Sequence, residues 1–174
     1  MKIALVALFF AVSAFAQGPP VGVAAACGRK NVSFAVKLGD PQQTSAQPEP
    51  GKAMVYFIQD DGPGGDHQHY TLRIGLDGTW VGAYKHNSYF TVSVEPGEHH
   101  VCANVQSNSS AGLNLALAHF TAEPGKVYYF RTQFLAGLTT QYPVYPYLVL
   151  DQPDSDQAKY LIASYPLSVS QPNK

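Results

Sequence analysis

The chain holds 174 residues, 45% of them hydrophobic and only 13% charged, and its 11 lysines and arginines nearly balance 12 aspartates and glutamates. That length fits one domain with a substantial core. Sparse, balanced charge with no basic run excludes bulk electrostatic attraction to nucleic acid or to an anionic membrane surface.

Residues 1–16 read as a signal peptide: Lys2, an apolar run over 3–12, then Ala14-Phe15-Ala16 as the cleavage site before Gln17. The run is too short to span a bilayer, and no later stretch is long enough for a transmembrane helix. The mature chain is therefore expected to be exported, periplasmic or extracellular, and soluble. Residues 17–50 read as an N-terminal leader, a first strand and a linker. In the strand Val32, Phe34, Val36 and Leu38 alternate with Ser33, Ala35 and Lys37, and residues 39–50 are rich in proline, glutamine and small polar residues.

Residues 51–166 carry the main domain, and 167–174 are expected to be a flexible tail. Glu-Pro-Gly occurs at 49–51, 95–97 and 123–125, each time before an apolar run. Proline sets the first corner of a tight turn and glycine accepts the positive φ of a type II second corner, so the pattern is turn, then strand. Residues 54–58 are apolar on both faces and predict a central strand. Tyr70, Leu72 and Ile74 alternate with polar residues, Asp77-Gly78 supplies a two-residue hairpin turn, and Trp80-Val81 begins the return. Phe90, Val92 and Val94 form one stripe, and Val101, Ala103 and Val105 another. Leu113, Leu115 and Leu117 predict a further half-buried strand, and 127–130 another central one. Pro143 and Pro146 keep 142–147 out of any sheet centre. Asp154 or Ser155 caps a short helix over 157–165, stopped by Pro166. The sum is an all-β, antiparallel β-sandwich, immunoglobulin-like or transthyretin-like, with one short C-terminal helix.

In an exported chain the two cysteines, Cys27 and Cys102, read as a disulfide. By the chain-entropy model that bridge stabilises the fold by about 4 kcal/mol. Lipidation of Cys27, which follows Ala24-Ala25-Ala26, is the alternative, although Gln17-Gly18-Pro19-Pro20 separates it from the apolar core that a lipoprotein signal carries directly upstream. Cys102 is out of phase with Val101 and Ala103, which puts the bridge on the outer face of its sheet.

Four segments together resemble the domain-of-unknown-function 2846 family of exported bacterial proteins: Gly51-Lys52-Ala53-Met54-Val55-Tyr56-Phe57; the Asp77-Gly78-x-Trp80-Val81-Gly82 hairpin; Ser88-Tyr89-Phe90-x-Val92-x-Val94-x-Pro96-Gly97-x-His99; and Glu123-x-Gly125-Lys126-x-Tyr128-Tyr129-x-Arg131. The resemblance covers residues 51–135. It implies a fold type and an export address. The family has no assigned activity, so no catalytic residue is implied. Many relatives look like lipoproteins with the lipidated cysteine ending the signal segment, and this chain departs from them there.

Candidate chemistry is thin. His67 and His69 share a face in an extended backbone, beside Asp60, Asp61 and Asp66, and are the candidate metal ligands, with a third from His86, His99 or His100. The blander reading, a loop tip of solvated histidines, is preferred. His99 is expected to point inward as a buried neutral imidazole bonded to backbone, and His100 outward. No Gly-x-Ser-x-Gly is present. Asp60 and Asp61 are expected to face opposite sides. Tyr142, Tyr145 and Tyr147 offer a proline-stiffened aromatic surface for a peptide, a glycan or another cell-envelope protein, or else pack as a strap on their own sandwich. The resulting expectation is a non-catalytic exported binding or scaffold module of the cell envelope that needs no cofactor and takes no nucleic-acid partner. The alternative is a metal-binding protein or metal-dependent enzyme using His67 and His69.

Overall fold

A computed structural model describes residues 23–28, 32–39, 47–62, 70–106, 115–135 and 147–173. The elements in chain order are α1 (Val23–Ala26), β1 (Phe34–Leu38), β2 (Ala53–Gln59), β3 (Thr71–Leu76), β4 (Thr79–Lys85), β5 (Ser88–Val94), β6 (Gly97–Val105), β7 (Leu115–Ala122), β8 (Val127–Leu135), β9 (Tyr147–Asp151), α2 (Ser155–Ser164) and β10 (Ser168–Pro172). Two four-stranded sheets, ordered β5-β2-β8-β9 and β4-β3-β6-β7, pack against each other, and β1 pairs with β10 in a two-stranded ribbon.

Strand β2 explains the layering. All seven of its residues are buried. Ala53, Val55 and Phe57 face the opposite sheet and share a core with Leu72, Ile74, Tyr84, Val101, Ala103 and Phe130. Met54, Tyr56 and Ile58 face the other way, onto Ala158, Leu161 and Ile162 of α2. The continuous apolar run is thus a strand covered on both faces, as its sequence predicts. Asp154 caps α2, its carboxylate accepting the N–H groups of Asp156 and Gln157 at 2.9 and 3.0 Å.

The Glu-Pro-Gly turns divide into two kinds. Gly51 and Gly125 have φ of 81° and 73°, and the N–H groups of Lys52 and Lys126 donate to the Glu49 and Glu123 carbonyls at 3.0 and 3.2 Å. These are type II corners. Gly97, at φ 136°, is different, and there the Glu95 carbonyl faces Nε2 of His99 at 2.7 Å.

Three expectations need correction. The sandwich is not purely antiparallel: β2 and β8 pair in parallel, from Met54 opposite Val127 to Gln59 opposite Thr132. Parallel neighbours need a long crossover, and β3 through β7 supply it; alternation fixes which face a residue takes but not the strand's direction. In β7 the leucines are not the core stripe. Ala116, Ala118, Phe120 and Ala122 line the core, while Leu115 packs beside the disulfide and Leu117 is exposed. Pairing with β6 sets this phase, with Ala118 opposite Val101 and Ala116 opposite Ala103. The tail after residue 167 is strand β10, matched to β1 from Phe34 opposite Pro172 to Leu38 opposite Ser168. In β1 only Phe34 is fully buried, and Leu38 is exposed.

The outer face of the β4-β3-β6-β7 sheet carries the N-terminal segment. Cys27 and Cys102 are joined there, and they cluster with Ala26, Trp80 and Leu115, away from the main core. This is the outer-face position that the phase of Cys102 predicts. Gly75 makes room for the segment: a Cβ at that position would lie 2.6 Å from the Ala26 carbonyl oxygen. Arg73 lies over the Trp80 ring at 4.2 Å and donates to Asn104 Oδ1 and to the Val32 carbonyl. The Gln106 amide accepts from the Phe34 N–H at 2.7 Å and donates to its carbonyl at 2.9 Å, so one side chain pairs with β1 as a strand residue would.

Candidate functional site

A network of polar side chains lies where β2 leaves the core. Gln59, Asp60 and Asp61 follow the fully apolar stretch 53–58, and β8, β9 and α2 bring Arg131, Gln133, Asp151 and Tyr165 to meet them. Asp60 Oδ1 accepts from the Tyr165 hydroxyl at 2.9 Å and from the Gly62 N–H at 3.2 Å. Asp60 Oδ2 accepts from Gln133 at 3.3 Å and lies 3.6 Å from the Arg131 guanidinium. Arg131 grips Asp151 with two parallel bonds of 3.1 and 2.6 Å. Asp61 turns the other way: its N–H donates to Asn87 Oδ1 at 2.8 Å, and its Oδ2 accepts from Gln59 Nε2 at 3.0 Å. The two aspartates thus lean to opposite sides, and each is committed to its own partners.

The electrostatics match this commitment. The hydrogen bond from Arg131 to Asp151 raises the guanidinium further above its ordinary value, against the opposing effect of its burial. Burial pushes the Tyr165 hydroxyl up, and the bond it gives to Asp60 adds to the shift. Tyr84, fully buried below the cluster, is raised by desolvation, although Thr132 Oγ1 lies 2.8 Å from its hydroxyl. Arg131, Tyr84 and Tyr165 are thereby moved further from neutral pH than their ordinary values. Gln59 is 1% exposed, and its Oε1 has no hydrogen-bond partner among the described residues.

The histidines form a second constellation, at the start of β6. His99 points into the core, where its ring packs on Phe120 at 5.3 Å. Its Nδ1 lies 2.6 Å from Asp77 Oδ2 and its Nε2 2.7 Å from the Glu95 carbonyl. A singly protonated ring can donate to only one of these acceptors, a doubly protonated ring to both. The sequence reading anticipates the backbone bond and misses the carboxylate. Asp77 stands in the hairpin turn at φ 50° and also accepts the His100 N–H at 2.8 Å. His100 points outward, as expected, and lies opposite His119.

Of the other predicted site residues, Cys27 and Cys102 form the disulfide. Tyr147 is exposed at the head of β9, opposite Leu135. His67, His69, Tyr142 and Tyr145 lie outside the described residues. Among the described residues no group of three or more histidines, cysteines and carboxylates is arranged to hold a metal ion, and no helix is long and apolar enough to cross a membrane. The Asp60–Arg131–Asp151–Tyr165 network escapes sequence reading because its members are scattered over four separate elements and connections, with no common motif.

A protein family described as "Protein of unknown function (DUF2846)" matches residues 49–144, more than half of the chain. No curated protein and no solved structure matches it. The match spans β2 through β8 and with them both four-stranded sheets apart from β9.

Proposed function

The chain belongs to the DUF2846 family, and from that premise we propose that it is an exported, non-catalytic binding or scaffold module of the bacterial cell envelope, its sandwich of the immunoglobulin-like or transthyretin-like kind. The observation that carries this reading is the Cys27–Cys102 bridge. Such bonds persist in oxidising compartments, and this one pins the segment just after the signal peptide onto the folded domain. The polar end of β2 supports the non-catalytic part: Asp60, Arg131 and Asp151 are bound to one another rather than poised around an empty centre.

The test is expression of the full chain with its own leader in a bacterial host, followed by fractionation and intact-mass measurement. The expected product starts at Gln17, lacks a lipid and two thiol hydrogens, and is recovered from the envelope or the medium. An uncleaved, reduced chain in the cytoplasm ends the proposal. For the binding role, crosslinking in the envelope fraction is compared between wild type and the Tyr145→Ala, Tyr147→Ala double variant. Loss of a crosslinked partner is expected, and unchanged partners remove the tyrosine surface from the reading.

A further inference from the structure

Strand β6 carries two adjacent histidines that face opposite ways, and only His99 is absorbed by the packing. His100 lies on the outer face, directly across from His119 of β7. The backbone tells which kind of cross-strand pair this is. The His100 N–H donates to Asp77 Oδ1 at 2.8 Å, and the His100 carbonyl accepts the Asp77 N–H at 3.0 Å. The N–H and C=O of one strand residue point to the same edge, so both of these groups point away from β7. His100 and His119 are therefore a non-hydrogen-bonded pair, the closer of the two antiparallel types, with Cα atoms about 4.5 Å apart. The rings reflect this, with centroids 6.5 Å apart and planes inclined by 34°. The His119 side chain is exposed and that of His100 half-exposed, and Glu98 shares the face, its Oε1 lying 3.8 Å from His100 Nε2.

We propose that His100 and His119 chelate one divalent transition-metal ion on the outer face of the β4-β3-β6-β7 sheet, with Cu²⁺ bound most tightly. Imidazole is a ligand suited to copper, nickel and zinc, and at a given nitrogen site copper(II) heads the divalent series. Two paired strands fix the spacing of the two donors, so the second nitrogen binds as an intramolecular partner of the first. The rings lie outside the core clusters and can turn toward a shared ion without disturbing them. Asp77, which clamps the His100 backbone, holds the pair in register. With two protein nitrogens, the remaining coordination positions fall to water. Such a site is open, and it suits an ion that is exchanged or presented rather than buried for structure. The chain's two cysteines do not compete for the ion, since they are bonded to each other.

The test uses mature, tag-free protein carrying His67→Ala and His69→Ala, so that this second histidine pair does not contribute. Cu²⁺ alone is titrated, with binding followed by calorimetry and the ligand set by electron paramagnetic resonance. One equivalent bound through two imidazole nitrogens is expected. His100→Ala or His119→Ala alone should weaken binding by about tenfold or more, while the melting temperature without metal stays nearly unchanged because neither ring belongs to a core cluster. No binding, or binding that survives both substitutions, overturns the proposal. Neither result bears on where the protein resides, which the fractionation experiment decides separately.

Discussion

Asp77 holds His99 and the strand that carries it with a single carboxylate: Oδ2 lies 2.6 Å from the His99 ring, and Oδ1 takes the His100 N–H at 2.8 Å. A residue of the β3–β4 turn thereby fixes where β6 begins. Asp77→Ala should cost about 1–3 kcal/mol, the penalty of leaving a buried ring nitrogen without its acceptor. Asp77→Asn keeps an acceptor and tolerates the positive φ, so it should cost less. Urea denaturation of the two variants checks this; no loss in Asp77→Ala would show that the carboxylate contributes nothing, and equal loss in both that an amide oxygen does not replace it.

Alkali should unfold the domain through its buried phenols. Desolvation raises Tyr84, Tyr89 and Tyr165 above the ordinary tyrosine value. A group raised on folding contributes stability that is fully present below its unfolded value, about 10 for tyrosine, and is lost as pH climbs through the raised folded value. Absorbance at alkaline pH should therefore show some phenols ionising only together with loss of far-ultraviolet ellipticity. Tyr165→Phe, which removes the bond to Asp60, should leave one such phenol fewer. Smooth ionisation of every tyrosine in a still-folded chain contradicts the burial argument.

Gly75 and the disulfide should be energetically coupled. A methyl at Gly75 would approach the Ala26 carbonyl to 2.6 Å and the Cys27 Cα to 3.0 Å, both backbone atoms that the bridge prevents from retreating. Gly75→Ala should cost about 1–3 kcal/mol in the oxidised protein, as overpacking does. Replacing both cysteines by alanine should cost about 4 kcal/mol, given their separation of 75 residues. In that bridge-free background the segment can lift, so the Gly75→Ala cost should shrink. Strict additivity in a thermodynamic cycle would show that the segment does not press on Gly75.

The legible parts of the sequence were those governed by local rules. The positive φ of Gly51, the Asp77-Gly78 corner, the double-sided burial of β2 and the outward phase of Cys102 each follow from a residue type or an alternation within a few positions. What was hidden depends on distant pairing. Nothing near Leu117 signals that Val101 and Ala103 would draw the alanines of β7 inward. Nothing in 168–172 signals a strand until β1 is set beside it. The same holds for the candidate site. His99 was legible as an inward ring, but its carboxylate partner sits 22 residues away. His119 carried no signal of its own until its register opposite His100 was known.

The ribbon of β1 and β10 means that the first strand of the described chain waits for the last. Phe34 meets Pro172 and Leu38 meets Ser168, so during synthesis the early strand has no mate until β10 arrives. The strands of both four-stranded sheets precede β10 in the chain, so the ribbon closes last. A label placed at the start of β1 will therefore lie next to the end of β10, with Phe34 beside Pro172.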